Sequence, residues 1–282
     1  MQQQGRNQRV KEPSRKVVYL PREHGATAML LIPIVSVAIL AREWRWAELA
    51  TLAAAFAAMA AKDPLVVLLR QRFVWKQRHP DTDVASRWLA AWGLVLLASG
   101  LVLAFTWPVR ALIGMGLGVA AFAMLALWVN VKNRQRSTLF QIASAAALTS
   151  TSLATCLSAT GSIARWCWWF WLLSILQAAA GILVVHARLD ARIALRGTAV
   201  ASDQFRRAAQ VTLGVIVCAA VAAASMRKGW IALALVLAAA GYAYDLIRQR
   251  NTAALQMPLK RVGQRALVLS SLYSGLLILG LW

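Results

Sequence analysis

Apolar runs and short polar breaks alternate along the whole chain. The runs cover residues 26–41, 46–69, 88–107, 109–131, 139–160, 166–187, 208–226, 229–247 and 266–282. At about 1.5 Å per helical residue, a run of roughly 20 residues crosses a hydrocarbon core about 30 Å thick. The pattern predicts an all-α fold, a polytopic transmembrane bundle of about nine helices. The breaks are not equivalent. The N-terminal tail and the second, fourth, sixth and eighth breaks hold 24 of the 31 Lys and Arg residues. The other four hold six: Arg42, Arg45, Arg110, Arg165, Arg227 and Lys228; the last cation, Lys62, lies inside a run. Basic residues stay in the cytoplasm, so the N-terminus is expected inside and the C-terminus outside. An odd number of crossings makes every break agree.

Composition fits this reading. Hydrophobic residues make up 60% of the 282 positions, far more than a soluble domain carries. Residues 1–20 read as a basic cytoplasmic tail, flexible up to about Val17, and residues 21–282 as a single transmembrane helical domain. A net charge of +21 suits nucleic acid in a soluble protein. Here the cations flank membrane spans, which makes anionic inner-leaflet headgroups and membrane lipids the expected partners, with no nucleic acid. Cys156, Cys167 and Cys218 all lie in apolar runs at no metal-like spacing. They read as small packed hydrophobes, with neither a disulfide nor a cluster.

Tryptophans fall near the expected outer interface: Trp44 and Trp46, Trp107, the cluster Trp166, Trp168, Trp169 and Trp171, and Trp230. Their rings prefer that depth because the body is apolar and the N–H needs a wet partner. Small residues over 53–61, 114–118, 143–147 and 219–224 predict close helix contacts. The basic loop 70–83 has the character of an interfacial helix on the inner leaflet. Its His79, Asp81 and Asp83 read as a solvated turn and not as metal ligands.

Ionisable groups within or beside spans mark candidate function. Three places stand out, all on the cytoplasmic half. Pro21-Arg22-Glu23-His24-Gly25 opens a short first span. Pro21 suits a first helical turn, and the free N–H groups there, with Arg22 and His24 beside them, make an anion-binding end. Pro33 should kink this span and free a carbonyl. Lys62-Asp63-Pro64 lies inside the second span, with Asp63 about 10 Å beyond the boundary residue Arg70. A carboxylate at that depth is expected to face the protein interior or a wet cavity, with a partner; Lys62 either pairs with it or faces away. His186 and Asp190, four apart at the end of the sixth span, share a helical face and are in hydrogen-bonding register. Arg188, Arg192 and Arg196 form a second stripe, expected to contact headgroups.

The run Pro-Arg-Glu-His-Gly-Ala-x-Ala-Met-Leu-Leu-x-Pro at 21–33 resembles the opening of the YwiC-like family of bacterial integral membrane proteins. That resemblance implies a multi-pass protein of a bacterial inner membrane and supplies no established activity. A looser similarity, to UbiA-type prenyltransferases, implies nine helices with the N-terminus inside. It also implies two Asp-rich motifs at the cytoplasmic ends of helices two and six. Asp63 and the His186/Asp190 pair fall in the corresponding regions. The motifs are degenerate: Val66 and Arg70 stand where the first would repeat carboxylates, and Ala194 where the second would. A single Asp per motif is a poor magnesium cage, so no cofactor is expected, and Arg and His would hold phosphate directly.

The substrate-binding candidates are therefore Arg22, Glu23, His24, Lys62, Asp63, Arg70, His186 and Asp190. The leading expectation is a cytoplasm-facing polar pocket for an isoprenoid or lipid diphosphate, serving a transferase without full Asp motifs or a binding remnant. Two other classes stand beside it: a small-solute or proton-coupled transporter with Asp63 as the titrating group, and a scaffold without chemistry.

Overall fold

A computed structural model of the chain describes residues 24–77, 81–132, 137–196 and 203–282. All regular structure among these residues is helical. The helices are α1 (His24–Ala41), α2 (Trp46–Arg70) with a π-helical turn (Gln71–Trp75), α3 (Thr82–Thr106), α4 (Val109–Val131), α5 (Thr138–Thr149), α6 (Thr151–Thr160), α7 (Arg165–Leu195), α8 (Gln204–Ser225), α9 (Gly229–Arg248), α10 (Thr252–Leu255) and α11 (Leu259–Leu281). By length and composition, 8 stretches are able to cross a membrane, and the shorter Gly25–Ala41 joins them as a ninth apolar helix. The tail, Pro21, Arg22, Glu23 and His79 lie outside the described residues.

The expected spans are recovered with three differences. α3 and α11 begin earlier than their apolar runs, at Thr82 and Leu259, and α7 continues through the basic segment to Leu195. Polar flanks of a span remain helical because its hydrogen-bond ladder continues into the interface at little cost. The loop after α2 does not form an interfacial helix. The π turn prolongs α2, and Lys76 leaves it in the left-handed region. Residues 138–160 form one crossing broken at Ser150. Four successive hydroxyls act on the backbone there: Thr149 donates to Ala145 O, Ser150 to Ala147 O, Thr151 to Leu148 O and Ser152 to Thr149 O. Such back-bonding competes with the helical ladder and bends it.

α1, α5/α6, α7 and α11 form the centre. α1 is shielded: Leu30, Ile34, Val37 and Ala38 are buried, and the Thr151 hydroxyl donates to the Leu30 carbonyl in the turn before Pro33. The helix runs on through Pro33. α2 packs on α3, while α8 and α9 lean on α7 and α11. The outward faces of α3 and α4 are apolar, with Phe105 89% exposed, as lipid contact requires.

Two expectations about packing are corrected. Gly114, Gly116 and Gly118 of α4 face open space. The close approaches occur at Gly181 against Tyr242, Gly241 against Leu269 and Gly280 against Ile231. Among the tryptophans, Trp44, Trp46 and Trp230 are exposed. Trp107 instead is buried and donates to Ser158 Oγ at 2.9 Å, and Trp171 donates to the Ala146 carbonyl at 3.0 Å. Each N–H found its partner inside the bundle. The cysteine reading also fails: Cys156 and Cys167 form a disulfide. Cys156 sits near the end of α6 and Cys167 in the first turn of α7, so the short turn between the helices brings the two thiols together.

Candidate functional site

The polar groups gather where α7, α9 and α11 end on the basic-loop side. α9 finishes with Asp245, Leu246, Ile247 and Arg248; cations suit a helix C-terminus, where the carbonyls are unpaired. The chain turns into α10, which Asn251 caps by accepting the Ala253 N–H at 2.9 Å. Pro258 then sets the start of α11. Positions 261, 265, 268 and 272 recur at helical spacing, so one stripe of α11 begins basic and continues apolar.

That stripe borders a groove of about 570 Å³. Arg261, Gln264 and Arg265 line its polar end with Met257, and Val268, Leu269 and Leu272 line the rest. Asp245 Oδ1 lies 3.9 Å from Arg265 Nη1. Tyr244 stands between two guanidinium groups, with Arg248 at 5.5 Å and Arg265 at 5.9 Å from its ring centre. Arg188 enters from α7. It is 6% exposed, and its Nη2 donates to the Ala254 carbonyl and, at 3.3 Å, to that of Leu255. Its Nε meets no acceptor. Arg188, Arg248, Arg261 and Arg265 thus share this end of the bundle, with the Asp245 carboxylate beside Arg265. The local charge is strongly positive, and the adjoining surface is apolar.

A buried polar layer holds the three helices in register. Gln177 donates to Tyr242 Oη at 2.7 Å and to Ser270 Oγ at 2.8 Å, and Tyr273 donates to the Leu173 carbonyl at 3.0 Å. Gln249 adds a bond to the Val184 carbonyl at 3.1 Å. Only glycine at 181 lets Tyr242 lie this close to α7, because a Cβ would sit 2.9 Å from its hydroxyl.

Among the described residues, Asp63, Arg70 and His186 each meet different partners. His24 begins α1. Asp63 is outward-facing and half-exposed, 4.0 Å from Lys62, and does not enter a shared interior cavity. Its position on α2 turns it away from the buried face of Ala57, Ala60, Ala61 and Pro64. Arg70 donates to the Asn130 carbonyl at 2.7 Å and joins the ends of α2 and α4. His186 bonds Gln141 of α5 at 3.0 Å and packs on the Phe205 ring at 5.0 Å; it does not bond Asp190. Arg188 is no headgroup contact, since α10 folds over it. No group of three or more His, Cys, Asp and Glu residues suited to a metal occurs among the described residues. Asp245 and Glu48 escaped notice in the sequence, although both are acids inside apolar runs.

The Arg42 guanidinium stacks on the Trp282 ring at 4.2 Å, which levels the far ends of the parallel helices α1 and α11. The 18 residues of α1 lead back from there to His24, and an equal length of α11 leads back to Gln264.

Residues 20–156 match the family described as YwiC-like protein. The similarity read from residues 21–33 thus extends into α6, where the match ends. No curated protein and no solved structure matches the chain.

Proposed function

We propose that this multi-pass membrane protein, with its YwiC-like segment at residues 20–156, binds a long-chain lipid phosphate or diphosphate on its cytoplasmic side through arginines. The observation that carries the reading is the groove along α11. Its basic end, Arg261, Gln264 and Arg265, passes directly into Val268, Leu269 and Leu272. Such a gradient matches an anionic head joined to an isoprenoid or acyl chain. Guanidinium groups bind phosphate oxygens in pairs and need no metal. Arg22 and His24 enter the reading from the sequence alone, as further head contacts beside the free N–H groups that open the first span. Lys62, Asp63, Arg70, His186 and Asp190 fall to supporting positions.

The cytoplasmic assignment has two independent supports. The basic residues cluster at this end, as topogenic charges do. The Cys156–Cys167 bridge lies at the opposite end, where the same rule puts the oxidising compartment in which disulfides persist.

The test is binding of a prenyl diphosphate to detergent-purified protein, with and without Mg²⁺, for wild type and an Arg261→Gln/Arg265→Gln variant. A charge-assisted hydrogen bond contributes about 1.5–3 kcal/mol, so the variant should bind at least about tenfold more weakly. Magnesium should not matter. Equal binding by the variant, or none by wild type, refutes the reading; dependence on magnesium points instead to a transferase.

A further inference from the structure

A second polar site lies at the other end of the bundle. Glu48, in the first turn of α2, is 2% exposed. Its Oε1 accepts only the Arg45 backbone N–H, at 3.4 Å, and no donor reaches Oε2. The cation next in line is committed elsewhere, because the Arg45 guanidinium pairs with Glu43 at 2.8 Å. Around this end of α2 pack Ala50, Leu103, Trp107, Ala154 and Leu157.

Neighbouring hydroxyls offer no proton either. Trp107 donates to Ser158 Oγ, Ser158 and Thr51 meet at 2.6 Å, and Thr51 donates to the Ala47 carbonyl at 2.9 Å. Read in order, each hydroxyl spends its single proton along the chain Trp107, Ser158, Thr51, Ala47. The packed elements bring no other acid and no inward cation. α6 carries no charge over Thr151–Thr160. Arg110 of α4 and Arg165 of α7 are exposed, and Arg42, after α1, lies on Trp282. An ionised carboxylate in such a place has one long backbone N–H and, for its nearest cation, an Arg45 guanidinium that bonds Glu43, and burial makes that state costly.

We infer that Glu48 is a proton-binding site. It is held as the neutral acid at the end of the bundle opposite the basic groove. The reading is independent of lipid binding. It moves the protonatable group of a proton-coupled cycle from Asp63, which is half-exposed beside Lys62, to a buried carboxyl whose neighbouring cation, Arg45, pairs with Glu43.

Infrared difference spectroscopy of the purified full-length protein at neutral pH tests this. The carbonyl band of a protonated carboxyl should be present in wild type and lost in Glu48→Gln. It should shift in Glu48→Asp, which keeps the acid if the Gln variant folds poorly, and persist in Asp63→Asn. A wild-type spectrum without that band, or a band unchanged in both Glu48 variants, overturns the inference.

Discussion

Arg188→Met asks whether one buried guanidinium holds the connection between α9 and α11. Arg188 donates to the Ala254 and Leu255 carbonyls, the last of the short helix α10, both in residues with buried side chains. The Ala254 carbonyl also accepts the Met257 backbone N–H, at 3.3 Å, so Arg188 supplies its second donor. Losing hydrogen bonds from a charged donor to buried acceptors costs about 1.5–3 kcal/mol. Methionine returns part of this, since it fills the stem volume and takes away a buried cation whose Nε is unpaired. The expected net loss is about 2 kcal/mol, confined to the α9–α11 connection. Hydrogen exchange in detergent or nanodiscs is the assay, because it reads local opening directly. About 2 kcal/mol corresponds to roughly 30-fold faster exchange for the amides of residues 249–258. α2, α3 and α4 should be unchanged. Arg188→Lys should fall between, since an ammonium keeps the charge but not the planar fork. Unaltered exchange at 249–258, or a uniform rise over all helices, refutes the reasoning.

Two further outcomes follow from packing and covalent geometry. Gly280→Ala puts a methyl 2.6 Å from Ile231 Cγ1 and 3.0 Å from its backbone nitrogen; thermal unfolding should show a loss of about 1–3 kcal/mol, whereas Gly116→Ala, with open space around it, should be neutral. In protein unfolded in a denaturing detergent, Cys156 and Cys167 should resist a maleimide until reductant is added, while the free Cys218 reacts directly; labelling of all three without reductant would remove both the bridge and its support for the orientation.

The spans were legible because lipid imposes one rule, a long apolar helix, that hydropathy reads directly. What a mean value hides is local competition. The break at Ser150 comes from four hydroxyls acting on neighbouring carbonyls within a run that still averages apolar. Side-chain direction was harder to read. Spacing put Arg188 on a stripe with Arg192 and Arg196, yet Arg188 turns inward because α10 offers it two carbonyls from a segment more than 60 positions away. Asp63 turns outward for the converse reason: the buried face of α2 is taken by alanines and Pro64. The disulfide depended on the length of the turn between two runs, which hydropathy does not resolve. Glu48 and Asp245 satisfied the rule that singled out Asp63, an acid inside an apolar run; their surroundings, an uncharged hydroxyl chain for one and Arg265 for the other, are tertiary.

Asp245 separates an arginine-based site from a magnesium cage. Its carboxylate is the acid beside Arg265, at a separation of 3.9 Å and with both side chains partly exposed. Such a pair contributes about 0–1 kcal/mol and is too loose to fix the guanidinium in place. If the groove takes a phosphate on Arg261 and Arg265, the carboxylate repels that ligand through the space it shares with them. Asp245→Asn should therefore tighten binding of a prenyl diphosphate a few-fold at low ionic strength, with the gain shrinking as salt screens the interaction. Hard oxygens hold magnesium, and a metal-bridged diphosphate loses affinity whenever one of them is removed. A variant that binds more weakly, or only when magnesium is added, would be incompatible with anion recognition by arginine alone.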